Sequence, residues 1–272
     1  PLPPSMRCTL RVTARSGASI DLRLLVTGDP DPGPSMVGGP EDEIQVLQEE
    51  RPLLTGGSIW EASAVTEGFL SNLKVHWDGA RVLELGSGTG WLALKMARRG
   101  ASVTATDRRG MLDLLMRNVL RNQKNYQCTD EEDVARGRES ELDVECVVLD
   151  WEEGAVLPGR WDVIVGIEVV YLQQFYPALV ETIRRHAGPA TRIFMSWEER
   201  MEDGQHRQGD FLLQARAAGL REELRFVSRT PFSAVCYGYE LQLRSEGEDD
   251  AAPPVVYPPP AVRLRQMRIG GS

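Results

Sequence analysis

The sequence predicts a doubly wound α/β fold, with a sheet of seven strands that is mostly parallel with an antiparallel edge, plus an N-terminal β-hairpin. Three observations support that prediction. From residue 81 onward, short apolar runs alternate with turns and amphipathic stretches, the rhythm of parallel strands joined by helical crossovers. Val, Ile and Leu fill those runs almost without alternation, as strands covered on both faces require. The last two runs have no helical pattern between them, so they pair antiparallel at one edge.

Taken in order, residues 6–26 hold two roughly alternating runs around Ser16-Gly17 and predict the hairpin, appended to the main sheet. "GDPDPGPSMVGGPEDE", 28–43, is dense in Gly, Pro and acids and predicts an exposed loop. Ser58 is placed to cap a helix with Ala64, Phe69 and Leu70 on its apolar side. Strands follow at 81–85, 102–106, 144–149, 162–167 and 192–197, with helices at 90–99, 110–122, 174–187 and 207–218, and the edge pair at 222–228 and 233–243. The charged stretch 129–143 predicts a surface insertion, and the proline- and acid-rich end cannot bury enough apolar surface to order itself. The expected organisation is a hairpin and loop over 1–54, one main α/β domain over 55–244 and a disordered tail over 245–272.

Composition narrows the function. A chain of 272 residues, 42% hydrophobic, suits one large domain with extensions. A net charge of −9 argues against nucleic acid as a partner, since such affinity comes from neutralising phosphates. No apolar stretch is long enough to span a bilayer, so no membrane association is expected. The four cysteines and three histidines are scattered, which predicts neither a disulfide framework nor a metal site. A reducing compartment fits, so a cytoplasmic monomer is expected, with the nucleus as a second location.

The segment "RVLELGSGTG", 81–90, places three glycines in the turn after the first strand of the repeating pattern, where open parallel sheets bind ligands. A dinucleotide fingerprint starting at Gly86 would need glycine at 91, and Trp91 stands there. Instead Glu84 precedes Gly86, Ser87, Gly88 and Gly90 in an acid-x-Gly-x-Gly-x-Gly pattern. This pattern resembles the class I, seven-strand, Rossmann-like methyltransferases that use S-adenosyl-L-methionine. Asp107 closes the second strand, where a carboxylate can accept both ribose hydroxyls; capping the following helix is the competing role. Asp150 and Trp151 follow the third strand and offer an acceptor and a flat ring for adenine, with core packing the alternative for the ring.

"GGSIWEAS", "VLELGSGTGWLAL", "LRNQ", "LDW", "DVIVGIEVVY" and "FMSWEER" occur in the order seen in the methyltransferase family 16 protein-lysine methyltransferases, which the chain resembles over roughly 55–240. That resemblance implies a protein substrate and places Trp60 and Ile167 with the cofactor residues above. It makes Glu168 and Tyr171 the catalytic pair, an acid-x-x-Tyr with Glu where most of that group carry Asp. A small-molecule N-methyltransferase and a non-catalytic cofactor-binding scaffold remain the alternatives. Asn118 and Asn122 fall one helical turn apart, where solvated polarity accounts for them. "EER" at 198–200 is expected to be an exposed charged turn.

Overall fold

The computed structural model describes residues 6–13, 19–26, 35–37, 44, 46–49, 55–73, 75–125, 142–199, 208–229 and 235–244. In chain order the strands are β1 (Met6–Thr13), β2 (Ser19–Val26), β3 (Ser35–Val37), β4 (Val46–Gln48), β5 (Arg81–Leu85), β6 (Ser102–Asp107), β7 (Val144–Val148), β8 (Val163–Ile167), β9 (Arg192–Glu198), β10 (Leu220–Arg229) and β11 (Val235–Leu243). The helices are α1 (Glu61–Asn72), α2 (Trp91–Arg98), α3 (Leu112–Asn125), α4 (Tyr176–His186) and α5 (Gln208–Ala217). The chain divides into two compact units, one of residues 1–59 and 76–158 and one of residues 60–75 and 159–272.

In the first unit β5, β6 and β7 run parallel, with Leu85 opposite Thr106 and Asp107 opposite Val148. Within β5 only Arg81 is exposed, and Val82 to Leu85 are all buried, so both faces of the strand are covered. α2 and α3 supply cover with Leu92, Leu94 and Met96, and with Leu114, Leu115 and Val119. β1 and β2 pair antiparallel, and β1 meets β7 in parallel where Arg11 faces Val147. The region assigned by composition to a loop is only partly one. β3 lies inside it and pairs antiparallel with β4, just beyond it. Three-residue strands are too short to raise a period-two signal among glycines and prolines.

In the second unit β8 and β9 are parallel, β11 is antiparallel to β9, and β10 is antiparallel to β11. β5 to β11 are therefore the seven strands of the expected Rossmann-like class, mostly parallel with an antiparallel edge. Trp197 of β9 is wholly buried, stacked on Tyr239 at 5.2 Å and edge-on to Phe211 of α5 at 5.9 Å. α1 departs from expectation at its start. Trp60, not Ser58, is the N-cap, in extended conformation and without a side-chain cap bond. Ala62, Thr66 and Leu70 face inward at four-residue spacing, whereas Ala64 is exposed. Phe69 does pack, against Phe226 at 4.8 Å and Phe194 at 6.4 Å.

The predicted tail and nearly all of the charged insertion lie outside the described residues. Among the described residues no helix is long and apolar enough to cross a membrane, and no group of three or more His, Cys, Asp or Glu could hold a metal ion.

Candidate functional site

The glycine turn is built by β5 and β6 together. Ser87 N–H donates to the Thr106 carbonyl at 2.8 Å, Thr106 N–H donates to Ser87 Oγ at 3.0 Å, and Thr106 Oγ1 donates to the Glu84 carbonyl at 2.6 Å. Gly86, Gly88 and Gly90 all take left-handed backbone angles, with φ of 69°, 53° and 78°. From sequence, bare backbone there means room for a ligand. The structure gives two of the glycines a second reason: a Cβ on Gly88 would lie 2.6 Å from the Gly56 carbonyl oxygen, and one on Gly90 would lie 2.5 Å from Leu115 Cδ1.

The same bonds decide between ligands. The N–H groups of Ser87, Gly88 and Gly90 are engaged within the chain, by the Thr106 carbonyl, the Asp107 carboxylate at 2.8 Å and the Ser87 carbonyl. They do not form the open cradle of amides that a pyrophosphate needs. What the turn presents instead is acceptors. Glu84 is buried, and its Oε2 has no hydrogen-bond partner among the described residues. Burial pushes its carboxyl up to about 8, against the opposing bonds from Ser87 and the Ala93 N–H. An orphaned buried carboxylate oxygen suits a ligand carrying ammonium or hydroxyl groups, and S-adenosyl-L-methionine carries both.

Asp107 ends β6 with one oxygen on the Gly88 N–H and the other on the Arg108 N–H at 2.7 Å. It does not cap α3, which begins five residues later at Leu112. Each carboxylate oxygen keeps a further lone pair for a diol. Loss of hydration raises its pKa, the two backbone donors oppose that, and the charge of Asp150 adds to it. Asp150 itself accepts from the Glu152 N–H at 3.1 Å, capping a short 3-10 turn that begins with Trp151. Trp151 is half-buried and stands outside the core.

In the second unit, Ile167 closes β8 and the chain enters Glu168 in a left-handed conformation, φ 56°. Glu168 is the one non-glycine with positive φ among the described residues, a backbone state costing about 1–3 kcal/mol that characteristically gathers at functional sites. Its N–H donates to the Ser196 carbonyl at 2.9 Å, and its Oε1 accepts the Glu198 N–H at 2.5 Å. Ser196 Oγ in turn shares a 2.5 Å hydrogen bond with Thr66 of α1. The acid is thus buried and aimed by β9, while Val169 and Val170 are buried and Tyr171 is half-buried. Glu198 is half-buried, and its amide fixes Glu168; it is not part of an exposed turn. Across the sheet from Glu198, burial and the charges of Glu168 and Glu198 hold the Cys236 thiol up. Trp60, at the N-cap of α1, is half-buried.

Sequence reasoning missed Asn118. Asn118 and Asn122 are buried rather than solvated, and Asn118 bonds both Leu47 and Thr89. The available signal was their place on the same helical face as Leu114, Leu115 and Val119, where polarity has to find partners inside the protein.

A doubly wound sheet with an acid-x-Gly-x-Gly-x-Gly turn and a further acid at the next strand end defines a class I, S-adenosylmethionine-dependent methyltransferase. Residues 39–216, well over half the chain, match the lysine methyltransferase family model, and the chain belongs to that family. It is 32% identical over 188 residues to protein N-lysine methyltransferase METTL21A of Danio rerio, covering 68% of this chain and 78% of that protein. It is 31% identical over 146 residues to EEF1A lysine methyltransferase 3 of Xenopus tropicalis, covering 54% of this chain and 59%, less than two thirds, of that relative. In fold it resembles a Streptococcus mutans structure assigned as a SAM-dependent methyltransferase, with a TM-score of 0.53 and 15% identity over 84% of this chain and 60% of that one. A structure assigned as a methyltransferase and complexed with SAH superposes with a TM-score of 0.54 and 14% identity over 81% of this chain and 59% of that one.

Proposed function

We propose that the protein transfers a methyl group from S-adenosyl-L-methionine to the side-chain amine of a lysine in a protein substrate, with Glu168 and Tyr171 at the acceptor end. The single observation behind this reading is Glu168: a buried acid in a left-handed backbone, held on both its N–H and its carboxylate by β9, within the span that matches the lysine methyltransferase family.

When bound, S-adenosylmethionine would supply an electrophilic methyl carbon on a sulfonium, with a neutral thioether as its leaving group. The residues proposed to hold it are Glu84 for its ammonium, Gly86, Ser87, Gly88 and Gly90 as the turn around its methionine end, and Asp107 for its ribose hydroxyls. Asp150 and Trp151 take the adenine, with Trp60 and Ile167 completing the set. Glu168 orients the incoming amine by accepting its hydrogen bond. A carboxylate by itself favours ammonium over amine, and free lysine is almost wholly protonated at neutral pH, so Glu168 is an orienting group rather than the base. Tyr171 adds aromatic wall that excludes water, and the lysine ammonium would give one proton to solvent so that a neutral amine with a free lone pair is held facing the methyl group.

The buried thiols of Cys146 and Cys236 support placing the enzyme in a reducing compartment, the cytoplasm first and the nucleus second, and we take it to act as a monomer. The test is incubation with S-adenosylmethionine labelled in the methyl group together with cell extract. Labelled protein whose acid hydrolysate contains methyl-lysine is the expected result. Label confined to small molecules would overturn the lysine assignment.

A further inference from the structure

One buried side-chain amide ties the glycine turn to a segment far away in sequence. Asn118 of α3, fully buried, accepts the Leu47 N–H on Oδ1 at 2.7 Å. Its Nδ2 donates to the Leu47 carbonyl at 3.0 Å and to the Thr89 carbonyl at 2.9 Å, so both donors of the amide are used. Thr89 is the residue between Gly88 and Gly90. Residues 55–59 meet the turn as well, where the Gly56 carbonyl occupies the space a Cβ on Gly88 would need. Residues 46–49 and 55–59 are fastened to each other: Glu49 N–H donates to the Gly57 carbonyl at 2.8 Å, and Ile59 N–H donates to Gln48 Oε1 at 2.6 Å. Glu49 pairs with Arg117, the neighbour of Asn118, and Leu47 is buried with Met111 and Leu114.

We propose that Asn118 is a positioning residue for cofactor binding: it locks the glycine turn to the strap formed by residues 46–49 together with 55–59, so that the ligand-ready shape of the turn depends on the strap being in place. This rests on the assignment of that turn to S-adenosylmethionine. Three left-handed glycines make a turn with much conformational freedom to lose, and a ligand that must order it first binds less tightly by that cost. Asn118 orders it beforehand. Its effect therefore falls on affinity rather than on methyl transfer.

Asn118→Asp keeps the shape and the acceptor for the Leu47 N–H, but turns an oxygen toward two carbonyls. S-adenosylhomocysteine affinity, measured by calorimetry, should fall about tenfold or more, and KM for S-adenosylmethionine should rise with it. At saturating cofactor, kcat should stay within about threefold of wild type. Asn122→Ser removes the neighbouring buried bond to the Asn118 carbonyl and serves as the control, expected to lower Tm while leaving affinity near wild type. Equal affinity losses in both variants, unchanged affinity in Asn118→Asp, or a loss confined to kcat would each overturn the proposal. Should Asn118→Asp not fold, hydrogen exchange on the wild type decides. S-adenosylhomocysteine should slow exchange of the Leu47 amide about fivefold or more, and an unmoved Leu47 amide would defeat the coupling. A wild-type protein that binds no S-adenosylhomocysteine would refute the cofactor assignment itself, a result distinct from all of these.

Discussion

The backbone N–H of Glu198 donates to the Glu168 carboxylate at 2.5 Å, so the end of β9 fastens the acid of the Glu-x-x-Tyr motif. An acid held this way points in one direction, which orienting an amine demands. The neighbouring bond from Glu168 N–H to the Ser196 carbonyl holds its backbone in the left-handed state.

Glu168→Gln keeps a carbonyl oxygen to accept the Glu198 N–H and removes only the charge. Turnover on a lysine substrate should fall about tenfold or more, on the order of 1.4 kcal/mol in transition-state free energy. Cofactor affinity should change by less than about twofold, since the lost group is proposed to face the acceptor. Steady-state kinetics alongside calorimetry separates the two. Undiminished methylation of lysine would remove Glu168 from the acceptor end.

Tyr171 tests whether ring or hydroxyl matters. As a half-buried aromatic wall it should tolerate Tyr171→Phe within about threefold in kcat/KM, while Tyr171→Ala, which admits water, should lose about tenfold or more. Equal losses in the two variants would assign the role to the hydroxyl instead.

Gly88 and Gly219 both have left-handed backbone, φ 53° and 83°, but differ in surroundings. A Cβ on Gly219 meets nothing within 4 Å, so Gly219→Ala should cost only the backbone penalty, about 1 kcal/mol. A Cβ on Gly88 collides with the Gly56 carbonyl at 2.6 Å and must move the strap. Gly88→Ala should therefore destabilise by about 2 kcal/mol or more and weaken S-adenosylhomocysteine binding about tenfold. Thermal unfolding and calorimetry on both variants check this. Similar behaviour of the two would mean that the strap yields freely.

Where one physical signal dominated, the chain was legible. Strands β5 to β9 stood out because continuous Val, Ile and Leu cannot face water, and their helices because Leu and Met recur at turn spacing. Glu84, Asp107 and Glu168 were placed correctly at strand ends by position alone. What escaped were relations between distant segments. Nothing local in "VLQ" says that β4 will be held by Asn118, seventy-one residues on. Nothing in "IEVV" says that Glu168 will be left-handed, because that state is imposed by β9. Ser58 resembles a cap by residue type, but the first helical turn forms after Trp60 instead. The glycines do lie in the turn after β5, but room for a ligand is an incomplete cause for them, since two of the bare positions accommodate protein atoms.

Glu84 gives the enzyme a pH signature with a definite sign. Burial raises its carboxyl from the ordinary 4.5 to about 8, so the folded, ligand-free protein keeps a proton that the unfolded chain has released. More protons bound in the native state means that stability falls as pH rises. The contribution is complete below pH 4.5 and is lost progressively between there and about 8. Glu84→Gln, neutral at every pH, should flatten that part of the stability curve. A cationic ligand reverses the preference, because an ammonium beside the orphaned Oε2 favours the carboxylate. Binding of S-adenosylhomocysteine at a pH between those limits should therefore expel a proton from Glu84. Calorimetry in two buffers of different ionisation enthalpy measures it, as a proton released by wild type that Glu84→Gln does not release. Identical proton release in wild type and Glu84→Gln, with a stability curve that Glu84→Gln does flatten, would mean that the ligand's amino group lies elsewhere and would end the assignment of Glu84 to the cofactor.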